Sequence, residues 1–368
     1  MQDEFHNPPG TRKKILKALL VIIAVLLLAV VFSGIFLYIS MVRKLNHVDV
    51  PDIQYTQPPT ETYGFAPIET IPETTEAVTV ATEPPHIPSP EDYINILLVG
   101  QAARYGETER FADTMILCTL NTYEKTLTLT SILRDTLIGS SGPYKNHYWG
   151  NIKITTVYHL GYMWGGTAGS MACMNQTLYD NFGIEVDHNF EVDFEAFATA
   201  INLLGGIELE LTQAEADYLN KDDLWVRYDV EPGLQKLDGM AALSYARMRK
   251  AEGDGESDVR RTSRQRYLMT VLLDKVKDMS VADLQKMADT VLPYVTTSMD
   301  TAEITELLLK VLPMLPELEI RAEGTCPAEY SGGLVDIYKD GMEHSVIKFI
   351  PSTTKKTMRA ITEGEIAE

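Results

Sequence analysis

A mixed α/β fold, with parallel and antiparallel strands in one central sheet and helices on both faces, is what this sequence predicts. Three observations lead there. INILLVG (Ile94–Gly100) is a continuous apolar run closed by glycine, as a strand covered on both faces requires. TMILCTL (Thr114–Leu120) and TLTLTSIL (Thr126–Leu133) follow it before any helix, joined through the turn residues NTYEK. Strand and helix periods then alternate, which places helices against a sheet rather than beside it.

Taken in order, the chain opens with residues 1–17, which hold Arg12, Lys13, Lys14 and Lys17. Ala18 to Val42 follow without a charged residue, long enough at 1.5 Å per residue to span a bilayer. The run is longer than the apolar part of a signal peptide and lacks an AxA-like cleavage site, so it reads as an uncleaved single-pass anchor. More cationic residues precede it than the pair Arg43 and Lys44 behind it, which puts the N-terminus in the cytoplasm and the bulk outside. Residues 43–91 are rich in Pro, Thr and Glu, a composition that cannot bury a core and favours an extended linker between membrane and domain.

The folded region spans 92–280. After the first three strands, Gly165–Gly183 reads as a helix ended by its last glycine, and HNFEVDF (His188–Phe194) as a strand. Asp193 caps the helix FEAFATAINLL, Gly205 and Gly206 stop it, and IELELT (Ile207–Thr212) is a further strand. A long amphipathic helix runs through Tyr267–Met279. Residues 281–368 add two helices, within Asp283–Val295 and Thr301–Leu315. Short strands are expected in LEIRAEG, VDIYKD and VIKFIP, and the segment completes the domain.

A net charge of -20 excludes a polyanion-binding surface and hence nucleic acid, and gives the outer part no electrostatic pull toward anionic lipid. Cys118, Cys173 and Cys326 are too widely spaced for a zinc or disulfide framework, and Cys118 in MILCTL reads as a buried small residue. The scattered histidines form no HExxH or HxH pattern.

Against this acidic background Ser244–Gln265, SYARMRKAEGDGESDVRRTSRQ, concentrates positive charge. Arg247 and Arg249, two apart, share a face if extended. Asp258, Arg261 and Gln265, at i, i+3 and i+7, share a side of the following helix. Guanidinium groups that converge repel one another unless an anion lies between them, and their fork suits phosphate. A solvated charged loop leading into a surface helix would carry the same residues. Arg134-Asp135-Thr136 at a strand end, Asp113 at the mouth of the same sheet and Lys153 add charge where α/β sheets gather their sites.

INILLVG, DTMILCTLN, SILRDT, KIT with Tyr158 and Gly161, FEVDFEAF, LLGGIELE, GLQKLDGMAALSYARMR and DVRRTSRQ run in register over about residues 93–277. Together they resemble the LytR-CpsA-Psr family of membrane-anchored cell-wall glycopolymer transferases. The resemblance implies an enzyme that moves a teichoic-acid-type or capsule-type glycopolymer from a polyprenyl pyrophosphate carrier to peptidoglycan at a Gram-positive-type cell surface. It implies pyrophosphate ligands Arg134, Lys153, Arg247, Arg249, Arg261 and Gln265, with Asp258 orienting the arginines. Asp113, Arg134, Arg249 and Arg261 would act in the transfer, and Asp113 would help hold Mg2+ or Mn2+. Thr155 replaces the Asn of the family's Lys-Ile-Asn motif. Ala102 stands where a second metal carboxylate belongs, with Glu107 or Glu109 as substitutes, and Phe111 occupies a position usually held by Arg, with Arg110 one residue earlier. Two alternatives share these residues: a polyprenyl-phosphate-binding protein without catalysis, and a lipid pyrophosphatase.

Overall fold

The computed structural model describes residues 43–51, 89–101, 110–139, 152–221, 228–249, 257–277, 279–322, 324–337 and 342–364. The N-terminus 1–17, the expected anchor 18–42, linker residues 52–88 and the positions Ala102, Glu107 and Glu109 lie outside them. Among the described residues no helix is long and apolar enough to cross a membrane.

β1 (Asn46–His47) is followed by β2 (Tyr93–Gln101), β3 (Ala112–Asn121), β4 (Thr126–Ile132), β5 (Leu137–Ile138) and β6 (Ile152–Lys153). Next come α1 (Ile154–Phe182), β7 (His188–Asp193), α2 (Phe194–Leu203), β8 (Ile207–Leu211), α3 (Gln213–Leu219), β9 (Gly233–Leu237), α4 (Gly239–Arg247) and α5 (Ser257–Lys277). The last part holds α6 (Val281–Val291), β10 (Val295–Thr297), α7 (Thr301–Met314), β11 (Glu319–Arg321), β12 (Thr325–Cys326), β13 (Tyr330–Val335), β14 (His344–Phe349) and α8 (Pro351–Thr362).

Among the described residues eight strands form the central sheet in the order β1-β10-β7-β2-β3-β4-β11, with β12 also on β4. It is mixed, since β2 lies antiparallel to β3 and parallel to β7. Side chains alternate across it. Leu97, Val99, Met115, Leu117 and Ile132 pack against α1 and against Met358 of α8. Leu98, Gly100, Thr114 and Ile116 point the other way, toward residues of α2, α4 and α5, with an apolar cavity between. Helices therefore cover both faces, as the strand and helix alternation predicts.

Several elements differ from the sequence reading. IELELT is a strand, but outside the central sheet: Gly205 and Gly206, at φ +74° and +92°, turn the chain aside, and β8 pairs with β9 over a second core. The helix ended by Gly183 begins at Ile154, before the expected Gly165, and Gly165 and Gly166 break its dihedrals in the middle. α6 stops at Val291, ahead of Pro293, and Val295, expected to end that helix, instead opens a strand to Thr297 that pairs antiparallel with β7. The strand expected in VDIYKD lies earlier, at Tyr330–Val335, and α8 was not foreseen. Cys118, expected inside, is only partly buried, whereas Cys173 and Cys326 are buried, and none of the three is in a disulfide.

The linker boundary also moves. Asn46–His47, assigned by composition to the linker, pair in parallel with Thr296–Thr297 of β10, and Val48 N donates to Thr297 O at 2.9 Å.

Candidate anion site

The strands place charge at one end of the sheet. Between the pairs Gly100↔Thr114 and Gln101↔Ala112, Asp113 is an extra residue on β3. Such a bulge re-aims a side chain at a sheet end, and Asp113 Oδ1 accepts from Arg134 Nη1 at 2.6 Å. Arg134 follows β4. Its carbonyl accepts from Thr155 N at 3.1 Å, while Leu133 N donates to Cys326 O at 2.9 Å, so its backbone is tied on both sides.

The helix α5 supplies the facing wall. Asp258 in its first turn pairs with Arg261 one turn on, and its Oδ1 lies 3.3 Å from Arg134 Nε. Lys153 Nζ donates to Asp135 Oδ1 at 2.9 Å beside them. The structure thus brings Asp113, Arg134, Lys153, Asp258 and Arg261 into one network. Burial raises the Asp258 carboxyl despite Arg261 and Arg134 beside it. Burial also pushes Arg261 down to about 10, and the cations Arg134 and Arg249 add to that against the pull of Asp258. Arg261 is 3% exposed. The ion pairs at Asp258 are close but poorly aligned: Arg134 Nε and Arg261 Nε and Nη2 are buried without a hydrogen-bond acceptor. Buried donors are ordinarily satisfied, and these fit an anion that would satisfy them and lift the mutual repulsion.

Arg247 and Arg249 stand differently from the sequence reading. Arg247 is not extended but ends α4, a helix that Asp238 starts by accepting from Ala241 N at 2.8 Å and that the Ala-rich stretch sustains. Met248, fully buried, sits between the two exposed arginines and anchors them. Arg249 faces Asp258 and Arg261 electrostatically. Arg247 lies over the Phe194 ring, 4.8 Å from its centroid. Gln265 lines the cavity, but its amide donates to Ala246 O at 3.2 Å, so it holds the arginine segment as well as facing the site.

The cavity has a volume of about 220 Å³ and runs from Arg247 and Gln265 between Leu98, Phe194, Leu268 and Val291. Its lining is almost wholly apolar. Charge at one end of a hydrocarbon-lined cavity is the shape of an amphiphile with an anionic head.

Residues 68–322 match the sequence profile of the LytR_cpsA_psr family. The chain belongs to the LytR-CpsA-Psr family. Biofilm regulatory protein A of Streptococcus mutans is 29% identical over 245 residues, 64% of this chain and 58% of its own. The polyisoprenyl-teichoic acid–peptidoglycan teichoic acid transferase TagT of Bacillus subtilis is 30% identical over 199 residues, 52% of this chain and 55% of its own. The match thus spans less than two thirds of these relatives. A solved structure of TagT bound to LIIa-WTA superposes with a TM-score of 0.55 at 23% identity, over 74% of this chain and 92% of that one. At this identity the LytR-CpsA-Psr likeness in structure is one of fold.

Two groups of side chains escaped the sequence reading. Arg264 lies inside the DxxRxxRQ motif, a signal that was present. Its Nε donates to Glu215 Oε1 at 2.6 Å and its Nη1 to Met248 O at 3.3 Å. Gln101 Nε2 donates to Glu191 Oε2 at 3.0 Å, Arg110 Nη1 donates to Gln101 Oε1 at 3.2 Å, and the Tyr158 hydroxyl donates to Glu191. Burial raises both the Glu191 carboxyl and the Tyr158 hydroxyl. Nothing in FEVDF marks Glu191, since its partners come from three other segments.

Proposed function

We propose that this protein is an extracytoplasmic, membrane-anchored phosphotransferase that joins a polyprenyl-pyrophosphate-linked glycopolymer to peptidoglycan. One observation carries the reading: buried arginine donors without acceptors stand beside a hydrocarbon-lined cavity. Teichoic acid transferases among the relatives support the reaction class. Arg134 and Arg261, with Arg247, Arg249 and Lys153, would take the pyrophosphate oxygens, Gln265 would line the passage to the tail, and Asp258 would orient the guanidinium groups. Charge neutralisation of this kind serves phosphoryl transfer more than covalent help does.

Among the described residues no cluster of three or more His, Cys, Asp or Glu could hold a metal ion. Asp113 is taken up by Arg134, so the donor set fits Mg2+ or Mn2+ only where pyrophosphate oxygens provide the other ligands. Bound in that way, the ion would neutralise the same oxygens. A second reading, binding without transfer, is favoured by Ala102 at the position of the second carboxylate.

The test uses the full chain in detergent with a lipid-linked oligosaccharide. Release of polyprenyl phosphate that requires a peptidoglycan acceptor is expected. Release into water without acceptor makes the protein a pyrophosphatase, and tight lipid binding with no release makes it a binding protein.

A further inference from the structure

Strand directions fix which end of the domain the membrane anchor leaves from. β2 runs toward Gln101 and β7, parallel to it, toward Asp193. β10 returns antiparallel to β7, with Val295 opposite Val192, and β1 runs parallel to β10 from Asn46. The residues before Asn46 therefore lie at the end where β2 and β7 finish and β3 begins, the end that holds Asp113 and Arg134. Lys44 Nζ donates to Asp289 Oδ1 of α6 at 2.6 Å, and Asn46 Nδ2 donates to Pro293 O at 2.8 Å. Val291, between those two contacts in sequence, lines the apolar cavity. The uncharged run Ala18–Val42 stops immediately before this segment. Residues 43–45 span at most roughly 10 Å, so a bilayer holding that run must lie close to this end.

The surface there suits a bilayer. Tyr294, 48% exposed, precedes β10, and Met163 and Trp164, 65% and 62% exposed, follow Tyr162. Tyr162 lies under Arg110, which enters β3 at the same end, with the Arg110 carbon 4.5 Å from the ring centroid. Tyrosine and tryptophan favour the headgroup level of a membrane. A net charge of -20 offers no attraction to anionic lipid, so the contact rests on the tether and on these apolar and aromatic side chains.

We propose that the anion-site end of the domain rests on the lipid bilayer, held there by residues 43–51. The proposal rests on the membrane-anchored reading above. It brings the cavity to the surface from which a polyprenyl chain would enter.

The experiment places the full chain in phosphatidylcholine nanodiscs with acyl-brominated lipid as quencher. An environment-sensitive thiol label is attached at Met163→Cys or Tyr123→Cys, and signal from the native cysteines is subtracted using the parent. Tyr123 is 52% exposed in the turn between β3 and β4, at the end of the sheet opposite Asp113. Quenching several-fold stronger at Met163→Cys is expected. It should survive removal of residues 54–86 and be lost when a flexible Gly-Ser segment of about twenty residues, reaching some 25 Å, is inserted between Val42 and Arg43. Equal or reversed quenching, loss on removing 54–86, or persistence after the insertion would each overturn the proposal. Farnesyl pyrophosphate binding from solution is measured on the same proteins. Its absence in the parent would sink the reading of the arginine site while leaving the orientation result to stand by itself.

Discussion

Replacing Arg264 by methionine keeps most of the side-chain volume but removes the partner of a buried carboxylate. Arg264 and Glu215 are 6% and 7% exposed, and their contact at 2.6 Å leaves little room for water. Breaking such a pair from one side costs about 3–5 kcal/mol, chiefly because the remaining charge is left without compensation. Glu215 also accepts from Thr212 N at 3.0 Å in the capping box of α3, so Glu215→Gln retains the cap while discharging the site. The double variant Arg264→Met/Glu215→Gln should therefore lose less stability than Arg264→Met alone. Denaturant titration of the four proteins at neutral pH reads this coupling. Met248 O loses its donor in both Arg264 variants, so Arg247 and Arg249 lose their seating, and farnesyl pyrophosphate should bind about tenfold more weakly in each. A cost below about 1 kcal/mol for Arg264→Met, or strict additivity in the cycle, would refute the claim that one pair supports both the fold and the arginine segment.

Arg249→Ala should reduce transfer by about 10²–10³ with stability unchanged or slightly higher in thermal melts, because the cation that bears on Arg261 is gone. Glu191 should give a pH signature. Its folded carboxyl lies above the unfolded value of 4.5, so its contribution is fully present below that pH and is lost as pH rises through the folded value. Glu191→Gln should flatten that part of the stability profile, with its advantage over the parent growing toward neutral pH. A Cβ at Gly161 would sit 2.5 Å from Gly169 O and Ser170 Cα, both backbone atoms, so Gly161→Ala should lower stability by about 1–3 kcal/mol in a melt. Calorimetric titration should show magnesium binding only when a polyprenyl pyrophosphate analogue is present. Tight binding to the lipid-free protein would place another carboxylate beside Asp113.

What the sequence made legible was whatever is local. The run Ile94–Gly100, the Asp193 cap and the Gly183 stop are written within a few residues each, and the structure shows each as read. Asp258 and Arg261 meet because a helix places i and i+3 together. β10 was hidden because Val295–Thr297 is too short to show a period, and its pairing with β7 joins residues about a hundred apart. The same holds for β1, whose composition matches the linker and whose partner arrives only at Thr296. The second role of Gln265 was equally out of reach, since a bond to Ala246 O depends on how α4 packs against α5.

Arg247 on Phe194 sets the boundary between charge and hydrocarbon at the thickness of one guanidinium. A pyrophosphate held by the arginines would have its first carbon atoms against that ring and then against Leu98 and Leu268. A sugar nucleotide offers the same two phosphates, yet it would press ribose hydroxyls onto a lining that is almost wholly apolar. Each hydroxyl buried without a partner costs about 1–3 kcal/mol. Soluble donors of that kind would thus be disfavoured by the shortage of hydrogen-bonding groups along that lining.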